Sequence, residues 1–118
     1  MTTKTKVTIY VDRNGNTNNL YLRDSEGHEG VNTITTDVSC DDDVEWIVGN
    51  GIDEITNIVA KSGSQNIFSS GPTKRADGNW EGTVCQHASG SESYSIEYKI
   101  DGQTMTDDPK FRVKPPEN

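Results

Sequence analysis

Alternating apolar and polar residues run along much of the chain, and this period of two predicts strands. The alternation is clearest over residues 91–100, where the apolar positions are Tyr94, Ile96, Tyr98 and Ile100. Asp101-Gly102 follows and favours a tight turn. A last strand is predicted at 111–113, before Pro115-Pro116. We therefore expect neighbouring strands near the C-terminus to share a buried face.

The remaining strands are predicted from shorter versions of the same pattern, bounded by turn residues. They cover residues 6–11, 20–22, 33–40, 44–48, 55–61, 66–68 and 80–85. Asn14-Gly15 predicts the turn between the first two strands, and the Ser-Ser-Gly-Pro sequence at 69–72 predicts a loop. Residues 55–59 also fit the spacing of a short helical turn, but their β-branched side chains favour the strand.

The composition of the chain supports an all-β fold. Nine Val and nine Ile, against two Leu and three Ala, disfavour helices and favour strands. Seven to nine short strands, with turn signals every eight to twelve residues, predict an antiparallel β-sandwich with Greek-key connections. We expect a single domain over residues 1–118, with frayed ends at 1–5 and 115–118.

Length and charge narrow the classes of function. A chain of 118 residues is enough for one domain with one core. The net charge of -8 opposes binding to nucleic acid or to an anionic membrane, and it indicates a partner that is not acidic. No apolar run approaches the roughly 20 residues that span a bilayer, and the first residues lack the apolar stretch of a signal peptide. We expect no membrane insertion, and a cytoplasmic chain as given or a secreted one if a leader was removed.

Common catalytic motifs are absent from the sequence. It contains no Gly-x-Ser-x-Gly, His-Glu-x-x-His, Cys-x-x-Cys or phosphate-binding glycine loop. We therefore expect a non-enzymatic module without a cofactor, which holds a protein, peptide or glycan through loops or a sheet edge, or associates with itself. Tyr10 and Tyr21 are candidate contact residues, because each is out of phase with the apolar positions of its strand and should be exposed.

A run of acidic residues forms a second candidate site. Asp41, Asp42 and Asp43 follow one another, and carboxylates that converge from loops are ligands for Ca²⁺. The same aspartates would also serve as turn-forming and solubilising residues. We keep all three as candidate binding residues, with calcium as an alternative ligand.

The stretch from Val44 to Lys114 resembles small bacterial cupredoxin-like or immunoglobulin-like sandwich proteins of unassigned function. The segments that carry the resemblance are Asp43–Trp46, Asn66–Pro72, Trp80–Val84, Tyr94–Tyr98 and Asp107–Val113. Their pattern of Tyr-x-Ile-x-Tyr, a turn and then Asp-Pro-x-Phe-x-Val implies a sheet that is closed by pairing of the last two strands. The resemblance implies a fold and no catalytic residue, because many unrelated activities use a β-sandwich.

The cupredoxin resemblance also raises the alternative of a metal site. The chain contains the ligand types of a blue-copper site, namely His28, Cys85, His87 and Met105. Cupredoxin sites group Cys, His and Met in one loop, whereas Met105 lies a whole strand beyond His87. Metal binding at these residues is therefore the alternative function, with a ligand set that is not intact.

The two cysteines have two possible states. A Cys pair around a Trp resembles the immunoglobulin pattern, but Trp46 follows Cys40 too closely. Alternation also places Cys40 with inward residues and Cys85 with polar ones. We expect two free thiols in a reducing cytoplasm rather than a disulfide.

Overall fold

The fold is all-β, as the sequence predicts. The computed structural model describes residues 6–61, 67–84 and 90–113, and these ranges contain eleven strands and no helix. The strands are β1 (Lys6–Arg13), β2 (Leu20–Asp24), β3 (Glu29–Val31), β4 (Thr35–Val38), β5 (Asp43–Val48), β6 (Glu54–Ala60), β7 (Phe68–Lys74), β8 (Trp80–Val84), β9 (Gly90–Ile100), β10 (Gln103–Asp107) and β11 (Lys110–Val113). No helix long and apolar enough to cross a membrane occurs in these ranges.

The strands form two sheets that pack as a sandwich. The six-stranded sheet has the order β3-β2-β1-β5-β8-β7, and its neighbours are antiparallel except for the parallel pair β1 and β5. In the five-stranded sheet β9 pairs with β6, β10 and β11, and β4 pairs with β11 in parallel. The sandwich prediction is confirmed, but both sheets are mixed rather than antiparallel, and eleven strands exceed the expected seven to nine.

Three strands are not marked by the sequence pattern. β3 has three residues and β10 has no fully buried residue, so neither shows a clear apolar alternation. β7 includes residues 69–72, which the pattern predicts as a loop. β7 lies at an edge of its sheet, and its pairing with β8 contains two register shifts. An edge strand tolerates Pro72 because one side of its backbone needs no partner.

The predicted strand at 91–100, its Asp101-Gly102 turn and its pairing with the last predicted strand are confirmed, whereas β10, which lies between them in the chain, is not predicted. Asp101 and Gly102 both have positive φ angles, 52° and 78°, as a two-residue turn between twisted strands requires. After this turn β10 and then β11 pair with β9 in one continuous register, which ends with Gly90 opposite Val113. The four apolar positions of the predicted strand at 91–100 are all buried.

An aromatic cluster fills the space between the sheets. Tyr94 stacks on Phe111 with ring centroids 4.5 Å apart, and Trp46 packs edge-on against both rings. The Trp46 Nε1 donates a hydrogen bond to the Tyr94 hydroxyl at 3.2 Å, so these buried polar groups have a partner. Burying a side chain such as Phe111 contributes roughly 1.5–3 kcal/mol. The cluster therefore holds β5 of one sheet against β9 and β11 of the other.

A second contact between the sheets is polar. The Tyr98 hydroxyl lies 3.1 Å from Asp107 Oδ2 and 3.0 Å from the Asn18 carbonyl oxygen, and the Leu20 N–H donates to the same carboxylate at 3.2 Å. Desolvation raises the pKa of the half-buried Asp107, and burial also raises the pKa of Tyr98. We call this contact the Asp107 seam; it joins β9 and β10 to the start of β2.

The expectation of free thiols is wrong for Cys40, which is disulfide-bonded. The chain has one other cysteine, Cys85, which lies outside the described residues. Alternation misleads here because β4 ends at Val38 and a turn follows, so Cys40 is not on the ladder of that strand. The Asp41 N–H donates to the Val84 carbonyl at 2.6 Å, which brings this turn to the end of β8.

Candidate binding face

Strands β1, β2 and β3 present aromatic and polar side chains on the outer face of the six-stranded sheet. Three apolar residues of β1 point into the core, so Tyr10, which alternates with them, points outward. Tyr21 and Arg23 alternate with the buried residues of β2, and Val31 of β3 lies directly opposite Tyr21. We call these four residues, Tyr10, Tyr21, Arg23 and Val31, the tyrosine face.

The Tyr10 ring has a fixed orientation on this face. Tyr10 is 38% exposed, and the Arg23 guanidinium carbon lies over its ring, 5.1 Å from the centroid. Arg23 in turn contacts Asp12 Oδ2 at 3.2 Å. A rigid aromatic side chain loses little conformational entropy when it packs against a ligand. Tyr10 is therefore suited to contact a bound molecule.

Asp12 is itself held by the loop that follows β5. Its Oδ1 accepts a hydrogen bond from the Asn50 N–H at 2.9 Å. A Cβ atom at Gly49 would lie 1.8 Å from that oxygen, so this close approach requires glycine. The orientation of Tyr10 thus depends on a series of contacts that ends at the backbone.

Tyr21 and Val31 complete the tyrosine face. The Tyr21 hydroxyl donates a hydrogen bond to Glu29 Oε2 at 2.7 Å, and this bond is the main cause that raises the pKa of Tyr21. Val31 is 46% exposed beside it. The sequence predicts that Tyr10 and Tyr21 are both exposed; Tyr10 is exposed, Tyr21 is half-buried, and the register places both on one face.

A groove continues this face over β5, β8 and β7. Its volume is about 320 Å³, near the lower end of the range for small-molecule sites. The charged residues of its lining are Lys6, Asp43, Glu45, Arg75 and Glu81. Its hydroxyl side chains are Ser70, Thr73 and Thr83. We call it the Glu45 groove. Glu45 on β5 is opposite Thr8, two residues before Tyr10 on β1, so the Cα atoms of Glu45 and Tyr10 are roughly 8 Å apart.

Glu45 is the buried carboxylate of the groove. The residue is 8% exposed, and its Oε1 and Oε2 lie 2.9 Å from the Lys6 ammonium and 2.5 Å from the Arg75 guanidinium. The hydrogen bond from Lys6, together with the charges of Lys6 and Arg75, holds the pKa of Glu45 below its usual value. Glu81 is directly opposite Glu45 on β8, and Arg75 also contacts Glu81 at 3.4 Å. Arg75 therefore offsets the repulsion between two facing carboxylates.

The turn between β7 and β8 positions Arg75. Asp77 Oδ2 accepts a hydrogen bond from the Arg75 guanidinium at 2.9 Å, and Asp77 Oδ1 accepts one from the Asn79 N–H at 3.0 Å. The hydrogen bond to Asp77 is the main cause that raises the pKa of Arg75. The Asp77 carboxylate, which lies in the same turn, thus orients the Arg75 side chain toward Glu45.

The three consecutive aspartates occupy three different environments. Asp41 is exposed in the turn after β4, with a φ of 73°. Asp42 is buried and accepts a hydrogen bond from the Ser39 N–H at 2.8 Å. Asp43 lines the Glu45 groove and accepts a hydrogen bond from the Thr83 hydroxyl at 2.9 Å. Of the three, Asp43 alone lies on the candidate binding face.

One group of three potential metal ligands occurs in the described ranges. Asp24, Glu26 and His28 have ligand atoms within 4.8 Å of one another. The buried Asp24 carboxylate, however, already accepts hydrogen bonds from the Thr36 hydroxyl at 2.8 Å and from the N–H groups of Glu26 and His28 at 3.0 Å each. These hydrogen bonds hold the turn between β2 and β3 together, and they account for the short distances among the three residues.

The copper candidates are not gathered into one site among the described residues. His28 lies in the turn between β2 and β3, whereas Met105 lies on β10 in the other sheet and packs partly against the core. Cys85 and His87 lie outside the described residues. The structure therefore describes two of the four candidates, and it puts them on different sheets.

Neither Glu45 nor Arg75 is predicted from the sequence as a site residue. A local signal marks Glu45, because it alternates with the inward residues Val44 and Trp46 and so must lie on the outer face. No local signal marks Arg75, because the hairpin of β7 and β8 brings it to Glu45 from thirty residues away in the chain.

The fold and this face define a small all-β sandwich with an aromatic and polar outer sheet surface. The chain belongs to the family described as a domain of unknown function, DUF8788, whose model matches residues 3–106. No curated protein matches the chain. The family description names no ligand, so a function has to be argued from the residues of the face.

Proposed function

We propose that this chain is a non-enzymatic binding module that holds a glycan against the outer face of the six-stranded sheet. The observation that carries the proposal is the position of Tyr10, exposed and fixed by Arg23, beside the polar Glu45 groove. A sugar ring has an apolar C–H face and a rim of hydroxyl groups, so it can pack on an aromatic ring while it bonds to polar side chains. This face offers both kinds of partner side by side.

The polarity of the face favours a glycan over a protein or peptide. The core of a protein interface is depleted in Asp and Glu, whereas the carboxylates of Asp43, Glu45 and Glu81 line the groove of this face. In the described ranges the exposed large apolar or aromatic residues are Tyr10, Val31 and Val59, and Val59 lies on β6 in the other sheet. Two such residues supply little apolar area for stable association with a protein or a second copy of the chain.

The sheet edges are less suited to binding than the face. An added strand needs a row of available N–H and C=O groups. β3 has three residues, and β7 is irregular. The Asp37 N–H on β4 donates to Glu26 Oε1, and the Ile58 N–H on β6 donates to Asn57 Oδ1, each at 3.0 Å. Short length, irregularity or side-chain capping therefore affects four of the described edge strands, and the fifth, β10, has only five residues.

The proposal is tested by NMR titration of ¹⁵N-labelled protein with a panel of neutral oligosaccharides. We expect saturable shifts at amides of β1, β2 and β5. Tyr10→Ala should weaken binding roughly tenfold, because it removes an aromatic contact worth about 1–1.5 kcal/mol. Val31→Ser should weaken binding less.

Val59→Ser is the matched control. It removes a valine of similar exposure from the other sheet, 41% against 46% for Val31, and it should leave the Kd unchanged. Saturable binding of a peptide but of no oligosaccharide would contradict the proposal. So would oligosaccharide shifts confined to β6, or equal losses in Tyr10→Ala and Val59→Ser.

Metal binding is the second candidate, and the group of Asp24, Glu26 and His28 is the observation that favours it. It ranks below glycan binding because Asp24 already has internal partners. The immunoglobulin-like or cupredoxin-like character of the sandwich is likewise a proposal, supported by the continuous pairing of its last strands.

A further inference from the structure

We propose that Glu45 makes the groove selective for uncharged sugars over anionic ones. This inference rests on the proposed glycan-binding function and goes beyond it, because it assigns the choice between two classes of sugar to one residue. Glu45 is here a specificity-determining residue of a binding site.

The two cations of the groove would attract an anion if Glu45 were neutral. The Lys6 side chain is 63% exposed, the Arg75 side chain is 31% exposed, and both line the groove. An ammonium and a guanidinium that face one space are a common arrangement for binding a carboxylate or a sulfate. Glu45 places one carboxylate oxygen on each of them. It therefore occupies the position that an anionic group of a ligand would take.

A ligand cannot displace Glu45 at low cost. The residue is 8% exposed and lies in the middle of β5, with β1 on one side and β8 on the other. Lys6 and Arg75 lower its pKa, so it is ionised at neutral pH. An incoming anion would have to break two ion pairs and leave a buried carboxylate without its partners, which is strongly unfavourable.

The rest of the lining favours a neutral ligand with many hydroxyl groups. Asp43 and Glu81 add two carboxylates to that of Glu45, so the two cations and three carboxylates leave a net negative charge in the groove. Sugar hydroxyls can donate to the carboxylates and accept from the cations without adding charge. The hydroxyl side chains of the groove extend this set of donors and acceptors.

The experiment compares a neutral oligosaccharide with its counterpart in which C6 carries a carboxylate. For the wild-type chain we expect the anionic form to have a Kd at least about tenfold higher, equivalent to about 1.4 kcal/mol. Glu45→Gln should bring this ratio close to one. Glu81→Gln is the matched control: it removes the same charge from another carboxylate that contacts Arg75, but one whose side chain is 55% exposed, and it should keep most of the ratio.

A second variant covers the case in which Glu45→Gln does not fold. Lys6→Met changes an exposed side chain at the start of β1 and leaves Glu45 with less positive charge beside it. The preference for the neutral sugar should then increase, by roughly threefold or more. An unchanged or lower ratio in Lys6→Met would contradict the role of Glu45.

Inorganic sulfate tests the same role without any sugar. At constant ionic strength, sulfate should shift the amides of Thr73, Arg75 and Thr83 in Glu45→Gln and leave them unshifted in the wild type. Equal Kd values for both sugars in the wild type, or an equal loss of preference in Glu81→Gln and Glu45→Gln, would overturn the role of Glu45 and leave glycan binding standing. Failure of both sugars to bind would overturn the proposed function, and the sulfate result would then decide the role of Glu45.

Discussion

Glu45 in the groove and Asp107 at the seam are carboxyl groups of the same small sandwich, yet their pKa values shift in opposite directions. Glu45 is the more buried of the two, but it lies between two cations. Asp107 is half-buried and has neutral partners, the Tyr98 hydroxyl and the Leu20 N–H. Desolvation therefore dominates at Asp107 and raises its pKa, whereas at Glu45 the hydrogen bond from Lys6 and the charges of Lys6 and Arg75 outweigh desolvation and lower it.

The two regions consequently depend on pH in opposite ways. The pKa of Glu45 is lowered by folding, so its contribution to stability is present above the ordinary Glu pKa of 4.5 and is lost as the pH falls through the folded pKa. The pKa of Asp107 is raised by folding, so its contribution is present below the ordinary Asp pKa of 3.8 and is lost as the pH rises through the folded pKa. Acid should weaken the groove and strengthen the seam.

The largest expected loss of stability comes from removing the disulfide of Cys40, and it should affect the groove and the seam equally. Cys40→Ser should lower the free energy of unfolding by about 2–4 kcal/mol, because the disulfide restricts the unfolded chain. Urea unfolding followed by Trp fluorescence and far-UV circular dichroism measures the loss, and coincident curves would show that both regions unfold together. Cys85→Ser should give the same loss. Wild-type stability in either variant would contradict a stabilising disulfide.

An intermediate effect should distinguish the seam from the outer face. Tyr98→Phe should cost about 1–1.5 kcal/mol, because it removes a hydroxyl from a part-buried contact with Asp107 and the Asn18 carbonyl. Tyr21→Phe removes the corresponding hydroxyl from the tyrosine face and should change stability little. Chemical denaturation of both variants makes the comparison, and equal losses would show that the seam has no special role.

The smallest expected effects are the two opposite pH dependences, at most about 1 kcal/mol each. Glu45→Gln should be less stable than the wild type at pH 7, and this difference should shrink as the pH falls below 4.5. Asp107→Asn should gain stability relative to the wild type at pH 7 and lose that gain in acid. Melting temperatures from pH 3 to pH 7 measure both differences. Differences that change in the same direction with pH would refute the contrast between the two regions.

The sequence predicts best those parts of the fold whose determinants are local. The alternation of β9 and the Asp101-Gly102 turn specify this strand and the turn that ends it without reference to any distant residue. β7 is predicted as a loop from its Ser-Ser-Gly-Pro sequence. It forms a strand because it lies at a sheet edge, where proline is tolerated, and its local sequence gives no sign of that position. The position of Cys40 is predicted from the alternation of the preceding strand, but a turn interrupts that alternation before Cys40.

The candidate site is predictable to a smaller extent. The phase of Tyr10 and Tyr21 within their strands places them outside the core. The contact between Tyr10 and Arg23 requires the register of β1 and β2, and the contact between Glu45 and Arg75 requires two strand pairings at once. The residues are visible in the sequence, but their neighbours follow from tertiary structure.

The position of β1 determines what a loss of the first strand would do. β1 is the first strand in the described ranges, yet it lies inside the six-stranded sheet, between β2 and its parallel neighbour β5. Removing it would divide the sheet into a β2–β3 ribbon and a β5–β8–β7 ribbon, and would delete Tyr10 and Lys6 together. The pairing of β1 with β5 also spans the chain from Arg13 to Asp43, and such distant contacts form slowly. Because this one strand joins the tyrosine face to the Glu45 groove, we expect its removal to disrupt both parts of the candidate face together.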